Sequence, residues 1–172
     1  MTKPDEIEFH TFAVLVDNEA GVLARVIGLF SGRGYNIESL TVAEVNKRDN
    51  LSRITIVTSG TPSVIEQIRD QLERLVPVHA VSDLTVEGPH IERELALVKV
   101  SGTGEQRVES LRIADIFRSR VVDSTNESFV FEIVGDTGKL DAFVRLMEPL
   151  GLTSVARTGI AAMARGPGSM EE

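Results

Sequence analysis

The chain has 172 residues, 42% of them hydrophobic, enough to hide roughly 70% of its unfolded surface in one ordinary domain or two small ones. Lys and Arg number 18 against 26 Asp and Glu, and the resulting net charge of −8 disfavours a passive grip on nucleic acid phosphates. With no Cys, disulfides, Cys-ligated metal centres and thiol nucleophiles are excluded, and His10, His79 and His90 are the only imidazoles.

Residues 1–9 form a short N-terminal segment; Met1 to Glu8 is charged and lacks an apolar leader core, and no later stretch approaches the ~18 to 20 apolar residues of a membrane span. The expectation is a cytoplasmic protein with no membrane segment, in which the sequon-like Asn126-Glu127-Ser128 has no meaning. His10 to Val16 alternates as a strand does, Asp17-Asn18-Glu19-Ala20-Gly21 breaks it, and Val22, Leu23, Val26, Ile27, Leu29 and Phe30 recur at helical spacing up to Gly32 and Gly34. Ile37 to Val45 and Leu51 to Thr58 are β-branched runs around a polar turn, which predicts a hairpin. Thr61-Pro62 reads as a helix start with a capping hydroxyl, Ile65, Ile68, Leu72 and Leu75 as its apolar stripe, and Val78 to Val86 as a closing strand.

After Gly88-Pro89 the same order of elements begins again. Leu95 to Ser101 is a strand, and Val108, Leu111, Ala114 and Phe117 form a helical stripe. Val121-Val122 and Phe129 to Val134 make a strand pair, Leu140, Phe143, Val144 and Met147 a second stripe, and Ser154 to Met163 a last strand. Each half therefore reads β-α-β-β-α-β, and the fold class is α+β with two tandem ferredoxin-like domains, at residues 10–87 and 88–164, before a mobile tail at 165–172. The expected strand order, 4-1-3-2, leaves Ile37 to Val45 at an open edge. Leu40, Val42 and Val45 make that edge apolar enough to predict a homodimer paired through it.

The loop at Asp17 to Gly21 enters a helix, whose first-turn amides attract a carboxylate or phosphate; a plain turn with Asn18 as cap and Gly21 for backbone freedom explains the same residues. Gly102-Thr103-Gly104 is not a nucleotide loop, because Arg107 stands where the dinucleotide fingerprint needs its third glycine and no Walker lysine follows. The three His are scattered, and Glu66, Asp70 and Glu73 alternate with Arg69 and Arg74 as on a solvated helix face. No catalytic residues and no metal ligands are predicted.

Asn18-Glu19-Ala20-Gly21-Val22-Leu23, followed by Arg33-Gly34-Tyr35-Asn36-Ile37-Glu38-Ser39-Leu40-Thr41-Val42, closely resembles the small, regulatory subunit of acetolactate synthase (acetohydroxyacid synthase), and the first half resembles its ACT domain. The resemblance continues through Ile91 to Val100, Gly138 to Phe143 and Arg157-Thr158-Gly159. It implies a subunit without an active site that binds and activates the large catalytic subunit. It further implies feedback inhibition by a branched-chain amino acid, usually valine, in valine, leucine and isoleucine biosynthesis. Thiamine diphosphate, magnesium and FAD belong by the same resemblance to the catalytic subunit and not to this chain.

The resemblance also implies an effector site made from Asn18, Ala20, Gly21, Val22 and Leu23 of one protomer with Asn36 and Ile37 of its neighbour. Many relatives carry a small hydroxyl residue where Ala20 stands. Helix amides suit the effector's carboxylate, Asn18 and Asn36 its polar end, and Val22, Leu23 and Ile37 a small branched side chain. A free-standing ACT-type amino-acid sensor would account for the first half equally well but not for the matches in the second. A small ferredoxin-like enzyme would need a convergent acid, base or nucleophile that the local sequence does not supply.

Overall fold

In the computed structural model, residues 6–170 are described, so Met1 to Asp5 of the N-terminal segment and the last two positions of the tail lie outside the described residues. The chain divides into two compact units, residues up to Ile91 together with those from Ile160 onward, and Glu92–Gly159.

The first unit runs β1 (Glu8–Asp17), α1 (Val22–Arg33), β2 (Asn36–Asn46), β3 (Leu51–Gly60), α2 (Pro62–Glu73), β4 (Val78–Asp83) and α3 (Leu84–Glu87). The strands form an antiparallel sheet in the order β2-β3-β1-β4, as the topology requires. Phe12, Val14 and Val16 of β1 and Ile54 and Ile56 of β3 meet Val26 and Phe30 of α1 and Ile68 and Leu72 of α2, which makes one closed apolar layer. Gly34 ends α1 in the left-handed conformation (φ 68°), and its N–H reaches the carbonyls of Phe30 and Ser31.

The opposite face of this sheet is also covered. Ala13 and Val57 pack against Leu84 of α3 and against Ile160 and Ala162, with Met170 resting on the cluster. Two expectations change accordingly. The strand expected to run to Val86 stops at Asp83, whose carboxylate accepts the Thr85 N–H at 3.1 Å and starts α3. The strand expected from Ser154 to Met163 is two, β8 (Leu152–Arg157) and β9 (Ala161–Ala164), separated at Gly159 (φ 85°). The residues after Gly159 return to the first unit. There Ile160 N–H donates to Ser39 Oγ at 2.8 Å, Thr41 Oγ1 to Ile160 O at 3.0 Å and Arg53 to Ala162 O at 2.7 Å. The Thr61 hydroxyl does not cap α2 as expected; it meets Ser63 Oγ at 3.1 Å.

The second unit contains β5 (His90–Ser101, which starts just before the division), α4 (Gly104–Ile116), β6 (Arg120–Ser124), β7 (Ser128–Gly135), α5 (Thr137–Met147), a short 3-10 turn and β8. Its strand order is β6-β7-β5-β8. Phe131 and Phe143 sit edge to face at 6.0 Å in a core with Val98, Ile133, Leu140 and Met147. The stripe on α4 is rotated from the expected one: Ser110, Ile113 and Ala114 face the core, whereas Val108 is 67% exposed and Leu111 40%. Arg107 lies over the Phe129 ring at 3.8 Å, supplying with its guanidinium the cover that an apolar side chain would otherwise give.

Candidate functional site

The turn from β1 into α1 is pinned by its backbone. The N–H groups of Asp17 and Asn18 donate to Pro77 O at 3.0 Å and Asn50 O at 2.8 Å, and Asn50 Nδ2 returns to Asn18 O at 3.3 Å. Gly21, at φ 86°, is the residue that caps α1, and Arg25 N–H reaches its carbonyl at 3.1 Å. Asn18 is thus not the cap that its side chain suggested. No side chain caps α1 and no acidic residue stands in its first turn, so the positive end of the helix is uncompensated by its own residues. Asn18, Ala20 and Gly21 are exposed around that end.

The apolar members of the predicted site are divided. Val22 is turned into the core with 6% exposure, whereas Leu23 is 37% exposed, so Leu23 is the apolar group this loop offers a ligand. Ile37 is half-buried against the first unit's core.

Asn36 and Ile37 are remote from the loop within one chain. Asp17 pairs with Leu51 while Asn36 pairs with Ser59, at opposite ends of β3. Eight residues of strand separate them, about 27 Å at the usual rise. The structure therefore brings Asn18, Ala20, Gly21 and Leu23 together and leaves Asn36 and Ile37 at the far end of the sheet. Two neighbours of Asn36 escape sequence reasoning. Its Nδ2 donates to a carboxylate oxygen of Glu38 and, at 3.1 Å, to Ser59 Oγ. Glu38 lies in the same motif, but only the pairing of β2 with β3 brings Ser59 to it.

The remaining candidates are engaged in structural roles. His10, 7% exposed, holds Asp83 through Nδ1 at 2.7 Å and Glu8 through Nε2 at 3.2 Å, so both ring nitrogens have carboxylate partners. His79 pairs with Asp17 at 2.5 Å and His90 Nδ1 lies 3.4 Å from Gly88 O. No group of three or more His, Asp or Glu suited to a metal occurs among the described residues. The Gly102-Thr103-Gly104 turn is tied down by a bond from Gly102 N–H to Glu127 O at 2.8 Å. No helix among the described residues is long and apolar enough to cross a membrane.

Comparison with known proteins agrees with this architecture. Residues 12–80 match the model of an AHAS small subunit-like ACT domain, and residues 93–166 match that of the small subunit of acetolactate synthase. A probable acetolactate synthase small subunit from Archaeoglobus fulgidus is 49% identical over 91% of this chain and 97% of its own length. Acetolactate synthase isozyme 3 small subunit from Escherichia coli is 47% identical, over 90% and 94%. The crystal structure of the acetolactate synthase small subunit from Thermotoga maritima superposes with a TM-score of 0.83 at 37% identity, covering 94% of this chain and 99% of that one.

The first unit is accordingly an ACT domain, and the chain falls in the class of proteins built on that module. With both halves matched, it belongs to the acetolactate synthase small-subunit family. Its relatives are by name subunits of an enzyme complex, and this chain is a subunit of the same kind.

Proposed function

We propose that the chain is the non-catalytic regulatory subunit of a cytoplasmic acetolactate synthase. It activates the thiamine-diphosphate-dependent catalytic subunit and confers feedback inhibition by valine or another branched-chain amino acid. The observation that carries this reading is the family match in both units, which a free-standing ACT sensor leaves half unexplained. Thiamine diphosphate, magnesium and FAD are assigned to the catalytic partner.

The effector site belongs to a homodimer. What supports this is the separation of the two half-sites, which no rearrangement short of unfolding the sheet would close within one chain. β2 is an edge strand, with Val42 and Val45 each 43% exposed and its backbone unpaired on one side of the sheet order. Antiparallel pairing of two β2 strands about their midpoint sets Asn36 of one copy against the Asn46 end of the other. That end carries the partner's β1–α1 turn. A small amino acid in the seam has α1 amides for its carboxylate, Asn18 and Asn36 for its polar end, and Leu23 and Ile37 for a branched side chain. A ligand that touches both copies binds alternative dimer geometries unequally, and that difference, typically ~1 to 3 kcal/mol, is what can reach the catalytic subunit.

The test is acetolactate formation by the purified catalytic subunit, alone and with this chain, across a valine titration. Activation together with valine sensitivity supports the proposal; valine binding with no effect on the catalytic subunit favours a separate sensor; turnover by this chain alone overturns the non-catalytic assignment. Gly21→Asp places a negative charge beside the carboxylate seat at a φ of 86°, which Asp adopts at a cost of about 1 kcal/mol. It should abolish valine inhibition while activation persists, and undiminished inhibition counts against the site.

A further inference from the structure

Glu38 is displaced from the strand ladder. The pairing of β2 with β3 passes from Ile37–Thr58 directly to Ser39–Val57, so Glu38 is the extra residue of a bulge. Its carboxylate reaches back to Asn36 and Ser59 and closes a ring: Asn36 Nδ2 donates to Glu38 Oε1 and to Ser59 Oγ at 3.1 Å, and Ser59 Oγ donates to the same Oε1 at 2.8 Å. A carboxylate can only accept, so the Asn36 amide must present its NH2 group to the ring. Both amide N–H bonds are engaged there, and Oδ1 is the atom left for a ligand. The peptide carrying this amide is itself held, because Thr58 Oγ1 donates to Asn36 O at 2.5 Å.

We propose that Glu38 sets the polarity of the effector site: by holding the Asn36 amide with its oxygen outward, it makes this half of the seam an acceptor for an ammonium group. The proposal rests on the shared site described above. The opposite half, the first turn of α1, offers donors and partial positive charge. An α-amino acid can satisfy both halves in one orientation only, carboxylate at α1 and ammonium at Asn36. A 2-oxo acid of the same carbon skeleton keeps the first contact but brings a second acceptor to Asn36 Oδ1. The site then discriminates by the amino group as well as by side-chain shape. Glu38 does not touch the effector in this arrangement; it acts through Asn36 as a positioning residue.

Isothermal titration of the full chain with valine and with 2-oxoisovalerate tests this. The wild-type chain should prefer valine by roughly 50-fold or more, since a ligand without the donor leaves the acceptor unmatched. Glu38→Gln can donate as well as accept and so frees Asn36 to turn over. It should lower valine affinity about tenfold, leave 2-oxoisovalerate unchanged or tighter, and reduce the preference to about fivefold or less. Asn36→Asp combined with Glu38→Gln restores an acceptor that cannot turn, and should recover the preference to within about threefold of wild type. An unchanged preference in Glu38→Gln overturns the proposal, as does an equal loss for both ligands or a double variant that recovers nothing. Failure of the wild-type chain to bind valine, or binding indifferent to Gly21→Asp, overturns the shared site instead.

Discussion

The two units lay down the same backbone pattern and furnish it differently. In the first, the N–H groups of Asp17 and Asn18 reach the residues preceding β4 and β3, Pro77 and Asn50. In the second, Ser101 and Gly102 reach the residues preceding β8 and β7, Gly151 and Glu127, at 2.8 Å each. Beyond these four bonds the likeness fades. The first turn of α1 holds no acid, whereas Glu105 sits in the first turn of α4 and answers that helix's positive end from within. β2 runs 11 residues with apolar side chains at its edge, and β6 only five. A duplicated topology is therefore not a duplicated site. The capacity to seat an amphoteric ligand depends on which side chains the shared turn exposes.

Substitutions that act on one unit alone tell the two apart, with Tyr35 as the reporter. The chain has one Tyr and no Trp, so tyrosine fluorescence follows the first unit while circular dichroism follows both. The largest effect is expected from Gly151→Ala. An added Cβ would lie 1.9 Å from the Ser101 carbonyl oxygen, at a φ of 100°. The cost should exceed about 4 kcal/mol, because a backbone atom must move to admit it. Denaturation should show the second unit lost early, with the Tyr35 transition little changed.

Next come the core rings. Phe12→Ala and Phe143→Ala each empty a fully buried position and should cost about 3–5 kcal/mol. Only Phe12→Ala should shift the tyrosine transition; parallel shifts in both variants would mean that the units unfold as one.

A smaller effect is expected at Arg157, which holds the buried Glu94 through two bonds, at 2.7 and 2.8 Å, and Asp141 at 2.6 Å. Arg157→Ala should cost about 2 kcal/mol, below the ~3–5 of a fully buried pair, because the arginine side chain is 30% exposed. Replacing both partners, Glu94→Leu with Arg157→Met, should recover most of that loss in urea titrations. The hydrogen bond that Arg157 donates to Glu94, opposed by burial and reinforced by Asp141, raises the arginine's pKa above its ordinary value. A raised cation stabilises the fold at every pH below its unfolded value and ceases to do so only on passing upward through its folded one. The arginine therefore adds no pH sensitivity near neutrality.

Much of this fold was legible because it is local. The period-2 run in β1, the glycine stop of α1 and the hairpin between β2 and β3 follow from neighbouring residues, and the strand order then follows from the chain order of the elements. What was not legible depends on distant partners. Nothing near Val108 and Leu111 says that α4 turns Ser110 and Ile113 inward, towards a core whose rings, Phe129 among them, come from β7 and α5. The break at Gly159 and the short α3 answer to Ala13 and Val57, residues more than a hundred positions from Ile160. For the proposed site, the resemblance named Asn18, Ala20, Gly21, Val22, Leu23, Asn36 and Ile37. The burial of Val22, the bulge at Glu38 and the contribution of Ser59 depend on how α1 packs and how β2 pairs with β3.

The return of Ile160 to Ala164 across the first sheet bears on any attempt to excise the ACT domain. A fragment cut after Ile91 would keep every strand of that sheet, yet Ala13, Val57 and Leu84 would lose Ile160 and Ala162, and the polar groups of Ser39, Thr41 and Arg53 would lose the backbone they hold. Such a truncation would be adhesive on a side the intact molecule keeps dry. Its self-association would then report a surgical artefact and not the seam between two β2 strands.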